Sequence, residues 1–202
     1  MQKHASYFSV PFTLLVLLVL SSVFADVARA QGQIVWAAPE RPSRLEMTRA
    51  TLDDGTYIKI TYGSPRIRNP QTNQSRKIFG EDTTAVVPFG TVWRLGANEA
   101  TELTTTGNII FGGKELPAGT YTLFAIPQRD NWTIIVNGQP GQWGAYEYEK
   151  YKDKNVMEIT VPAQQSDLTY EALTMNIADD EEGRTLMIRW ENTLVEIPIR
   201  TK

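Results

Sequence analysis

From Arg44 to the end of the chain, apolar side chains recur at every second position in short runs, and turn-forming residues separate the runs. Met157, Ile159 and Val161 make one run, and Leu173, Met175 and Ile177 another. Leu186, Ile188 and Trp190 follow, then Val195, Ile197 and Ile199. Successive side chains of an extended chain point to opposite faces, so a period of two buries one face and leaves the other in water. Only residues 146–154 offer a candidate helix. Asp53-Asp54-Gly55 and Gly107-Asn108 read as tight turns, where glycine tolerates positive φ. The pattern predicts a single all-β domain over residues 44–200. Its expected form is an antiparallel β-sandwich, jelly-roll or immunoglobulin-like, of about eight to eleven strands. Pro162 and Pro198 are expected to blunt its edge strands. Residues 63–85 break the rhythm with two prolines, an Asn/Gln/Ser cluster and four basic side chains. A loop that long in a compact domain is usually functional or mobile.

The first thirty residues have the makeup of a signal peptide. Lys3 and His4 give a polar, basic start, residues 8–20 an apolar stretch, and Ala28-Arg29-Ala30 a small-x-small cleavage site, with a cut after Ala25 as the alternative. A spanning helix needs about 20 apolar residues, and Pro11, Thr13 and Ser21-Ser22 interrupt this one. Residues 31–43 read as a linker. The expected location is therefore outside the cytoplasm, periplasmic or secreted. Cleavage would remove His4, the only histidine, and the chain has no cysteine. The mature chain then excludes Ser-His-Asp and Cys-His nucleophiles, imidazole or thiolate metal sites, disulfides and thiol redox chemistry. What remains is chemistry by carboxylates, Lys, Arg, Tyr and Ser/Thr. The full chain has 20 Lys+Arg and 23 Asp+Glu; without Lys3, Arg29 and Asp26 the balance is 18 against 22. Mild acidity gives no electrostatic footprint for nucleic acid and no polybasic membrane patch. No cofactor is implied, and no oligomeric state is legible.

Residues 92–101 are the densest polar group in the sheet pattern. Trp93, Arg94, Asn98 and Glu99 stand there around Gly96. As a site, Arg94 would clamp an anionic or hydroxyl-rich ligand, Asn98 orient it, and Glu99 accept hydrogen bonds or act as a base. As a brace, Arg94 would pair with Glu99 and Asn98 would close a turn on its own backbone. A second group is Trp143, Tyr146, Tyr148 and Tyr151, with Gln142 and Glu147 among them. In extended chain Tyr146 and Tyr148 share a face and could form a platform for a sugar ring; alternatively, these rings lid one end of the sandwich. Asp179-Asp180-Glu181-Glu182-Gly183 offers oxygen ligands but lacks the spacing of a calcium loop, and reads better as a solvated hairpin tip. Glu99 with Glu102, or Glu147 with Glu149, are weak acid–base pairs, since a glycosidase needs its carboxyls roughly 5–10 Å apart across a cleft.

Several segments also carry a family resemblance: Lys77-Ile78-Phe79-Gly80, Val87-Pro88-Phe89-Gly90-Thr91-Val92-Trp93-Arg94 and Gly96-Ala97-Asn98-Glu99-Ala100-Thr101. Residues 113–127, Trp132-Thr133-Ile134-Ile135, Gln142-Trp143-Gly144-Ala145-Tyr146 and Trp190-Glu191-Asn192-Thr193 complete the series. Together they resemble domain-of-unknown-function family 2911, over roughly residues 47–199. Residues 69–75 and 81–85 look longer than the family pattern. The resemblance implies a secreted all-β domain with no assigned activity, so no catalytic residue carries over from it. The expected function is a non-catalytic binding module for glycan or another envelope component. The alternatives are a hydrolase or isomerase centred on Glu99 and Arg94, and a structural envelope protein. If the first is right, residues 93–99 and 142–151 should meet on one rim.

Overall fold

In a computed structural model, residues 41–202 are described; the expected signal peptide and most of the expected linker lie outside them. Eleven strands form among the described residues. They are β1 (Arg44–Thr51), β2 (Tyr57–Ser64), β3 (Phe79–Gly80), β4 (Val87–Pro88), β5 (Thr101–Thr105), β6 (Ile109–Phe111), β7 (Lys114–Leu116), β8 (Gly119–Pro127), β9 (Asn131–Asn137), β10 (Asn155–Asp180) and β11 (Gly183–Thr201). Nine of them hydrogen-bond in the order β1-β2-β5-β8-β9-β10-β11-β6-β7. All of those pairings are antiparallel. The domain is all-β. β3 and β4 depart from the expected pattern by pairing in parallel.

The two runs predicted as separate strands around Met157 and Leu173 are one strand of 26 residues. β10 pairs with β9 from Asn155 to Pro162 and with β11 from Ala163 onward, so it belongs to two layers. A second tie closes the opposite side, where Arg66 bridges Ala172 and the Leu173 N–H donates to Pro65 O at 2.9 Å. Between the layers lies one core that takes Ile58, Leu103, Leu123, Ile134 and Ile159 from one side, and Phe111, Leu173, Ile188, Trp190 and Ile197 from the other.

The prolines work differently from expectation. Neither lies on an edge strand. Pro162 is the last residue to pair with β9, and Pro198 lies between the β11 residues that pair with β10 and those that pair with β6. A missing N–H costs least where a long strand changes partner. β11 also switches its buried face, from even positions up to Trp190 to odd positions from Val195. Glu191 absorbs the switch in a left-handed conformation, φ 55°. Residues 146–154, the one candidate helix, form a single turn α1 (Tyr148–Tyr151) followed by a 3-10 turn (Lys152–Lys154).

Candidate functional site

The loop before β5 is built from the backbone outward. Trp93 opens it by exchanging two hydrogen bonds with Ala125 of β8, at 2.7 and 2.8 Å. Its indole N–H donates to Gly96 O at 3.0 Å, and the ring is 7% exposed among core aromatics. Leu95 and Asn98 both take positive φ, 51° and 63°. Asparagine tolerates that region; leucine does so at a cost, offset here by full burial of its side chain. Gly63 of β2 lies directly against the loop, where its carbonyl accepts from the Ala97 N–H at 3.1 Å.

The Arg94–Glu99 pair of the brace alternative does not form. Arg94 donates to Asn98 O at 2.9 Å, lies over the Tyr146 ring with its guanidinium carbon 5.3 Å from the centroid, and reaches the Tyr146 hydroxyl at 3.5 Å. Glu99 is held instead by Arg41, from the segment read as linker, through a two-pronged pair whose Nη2–Oε2 arm measures 2.5 Å. Asn98 does not close a turn on itself; its amide donates to Ser43 O at 3.2 Å. Sequence reasoning missed Arg41 because its pairing depends on a contact across 58 residues.

The second group meets the first on the same rim. Glu99 forms a β-bridge with Trp143, and the Ala100 N–H donates to Gln142 O at 3.1 Å. Tyr146 and Tyr148, however, do not share a face. The chain turns helical at Tyr148, leaving Tyr146 79% exposed, whereas Tyr148 is 3% exposed and packs edge-on against Phe124 at 5.0 Å. Tyr148 thus belongs to the lid and Tyr146 to the rim. Glu147 pairs with Lys150 and Glu149 with Lys152.

A cleft of about 310 Å³ runs beside Trp143, which is 41% exposed. Tyr62, Glu99, Glu102 and Gln142 also line it. Glu102 accepts the Gly141 N–H at 2.7 Å. Gln142 is buried, and its Nε2 donates to Asn137 Oδ1 and Gln139 O. Those two acceptors fix which end of the amide is oxygen. Gln142 Oε1 is left buried with no donor among the described residues.

The hydrogen bonds from Arg41 hold the Glu99 carboxyl below the usual carboxylate range, against the opposing effect of burial. A lowered carboxyl pKa contributes stability above its unfolded value and loses it as pH falls through the folded value. Arg41→Ala should therefore destabilise the domain most near neutral pH, with the difference closing in acid. The carboxylate side chain is 40% exposed, so screening limits the loss to about 1 kcal/mol. Thermal melts of both proteins from pH 3 to 7 measure it; a gap that widens in acid contradicts the assignment.

A second cleft, of about 330 Å³, lies between β3 and the β11 bulge, with Phe79, Phe89, Trp132 and Glu191 among its lining residues. The Glu191 side chain has no hydrogen bond or ion pair among the described residues, and burial pushes its carboxyl above the usual range. At the 179–183 tip, by contrast, Asp179 pairs with Arg184, and Asp180 and Glu182 pair with Arg200.

Residues 43–199 match the family described as Protein of unknown function (DUF2911). The chain belongs to DUF2911. No curated protein and no solved structure matches it. Segments that carry the resemblance to DUF2911 occupy both clefts: Glu99, Gln142 and Trp143 in the first, and Phe79, Phe89, Trp132 and Glu191 in the second. Glu191 was visible only as part of Trp190-Glu191-Asn192-Thr193. The parity change between the Leu186–Trp190 run and the Val195–Ile199 run was the signal that could have marked it as a bulge.

Proposed function

We propose that this DUF2911 domain is a non-catalytic binding module, exported to the periplasm or beyond, whose ligand is a glycan or another hydroxyl-rich envelope component. What carries the reading is one juxtaposition. Gln142, whose Oε1 is a buried acceptor without a donor among the described residues, lines a cleft with Glu99, Glu102 and the exposed Trp143 ring. A buried acceptor left unpaired costs free energy, and a ligand hydroxyl would remove that cost. An aromatic face beside hydroxyl acceptors suits a sugar ring, which is apolar on its faces and polar at its edge. Tyr146 and Arg94 would extend the surface along the rim.

The hydrolase or isomerase reading has less support. A general base must be free to take a proton, whereas Glu99 is engaged and kept ionised by Arg41. Arg94 faces Tyr146 and Asn98, which leaves it no part beside Glu99.

The test is calorimetric titration with soluble peptidoglycan fragments and a panel of oligosaccharides. Trp143→Ala should weaken binding by more than tenfold, the scale of about 1.4 kcal/mol or more. Tyr146→Ala should weaken it less while leaving the melting temperature unchanged, since its ring is 79% exposed. No binding by the wild type to any saccharide, or equal binding by both variants, removes the reading.

A further inference from the structure

The Glu191 cleft has lining residues distinct from those of the cleft beside Trp143 and combines two features that the fold does not require. A residue other than glycine holds φ 55° in the middle of a strand, and its half-buried carboxylate meets no donor among the described residues. Glycine would carry the backbone turn at lower cost, and glutamine would avoid burying a charge. Local rules broken together at one residue point to a function for it. The cations lining the cleft do not neutralise Glu191. Lys77 pairs with Asp82 at 2.6 Å, and Arg129 pairs with Glu81 at 3.4 Å while lying over the Phe89 ring at 6.0 Å.

We infer that this cleft binds an alkylammonium group, with the charge on the Glu191 carboxylate and the apolar stem against Phe79 and Trp132. A neutral hydroxyl offsets less of the desolvation of a half-buried carboxylate than a cation does, because it brings no opposite charge. An ammonium also gains from aromatic rings nearby, and three aromatic residues line the cleft. A hard metal ion would need several oxygen ligands, and no group of three or more acidic side chains that could hold one occurs among the described residues. The raised carboxyl fits the same picture: a bound cation would bring it back towards the ordinary range.

The probe is n-butylammonium chloride, followed by NMR of the side-chain carboxyl carbons of the full mature chain. Butyrate and 1-butanol serve as controls of equal length. Butylammonium should shift the Glu191 carboxyl signal saturably and lower its titration midpoint, while neither control binds. Nα-acetyl-lysine amide, run in parallel, separates a protein lysine from a free amine as the source of the group; saturable binding of either supports the inference. Glu191→Gln should weaken butylammonium binding at least tenfold while its melting temperature at pH 7 stays level or rises. Butanol binding as well as butylammonium would overturn the inference, as would full binding by the Gln variant or no saturable shift in the wild type.

Discussion

Gly63→Ala is expected to cost about 3 kcal/mol or more, beyond the usual penalty for overpacking, because the clash is with backbone. A Cβ at Gly63 would lie 1.9 Å from Ala97 O and 2.8 Å from its carbonyl carbon. Neither atom can rotate away. The loop that carries Arg94 and Asn98 must lift off β2 or β2 must bend, and the bond from the Ala97 N–H to Gly63 O breaks in either case. For a domain of this size the melting temperature should fall by about 6–12 °C. Gly55→Ala is the control. Unlike Gly63 it sits at positive φ, 85°, but nothing lies within 4 Å of its Cβ direction, so only the conformational cost of about 1 kcal/mol remains. Saccharide binding should be lost in the Gly63 variant at temperatures where it is still folded, and kept in the Gly55 variant. A Gly63 variant that melts with the Gly55 variant would mean that the loop is not seated on β2 as described.

The legible parts of this fold were those set by local pattern. Period-two alternation gave the strands, and Asp53-Asp54-Gly55 gave a hairpin whose flanking strands pair from Arg44–Ser64 to Thr51–Tyr57. Continuity was not legible. The residues between Val161 and Leu173 are exposed or half-buried and lack alternation, so nothing local says that β10 runs through them. At the rim, the meeting of residues 93–99 with residues 142–151 was expected, and the Glu99–Trp143 bridge makes it. The partners within it were not. Arg94 looked matched to Glu99 because only four residues separate them in sequence, yet two left-handed residues, Leu95 and Asn98, reverse the loop between them. Tyr146 and Tyr148 looked alike because an extended chain was assumed; one helical turn put them in different environments. In each case residue types were readable and their directions were not, since backbone conformation between the residues decides direction.

Trp190→Ala should be among the most damaging single changes in the domain, at about 3–5 kcal/mol. Trp190 is 1% exposed and belongs to a four-ring cluster, stacked on Trp93 at 5.8 Å and edge-on to Phe79 at 5.8 Å, with Trp132 5.4 Å from Phe79. Those neighbours face different ways. Trp93 belongs to the rim loop, whereas Phe79 and Trp132 line the Glu191 cleft, and Glu191 follows Trp190 in the chain. Truncation leaves a cavity under both, so saccharide binding at the rim and butylammonium binding at Glu191 should weaken together. Trp190→Phe separates packing from hydrogen bonding. The indole N–H is buried and meets no acceptor among the described residues, so phenylalanine keeps much of the ring area and removes an unpaired donor. Its cost should stay near 1 kcal/mol, a volume loss partly offset by the donor removed. Chemical denaturation of the three proteins gives both numbers. If phenylalanine proves as costly as alanine, the indole N–H has an acceptor that matters, and the cluster's stability comes from that bond more than from its packing.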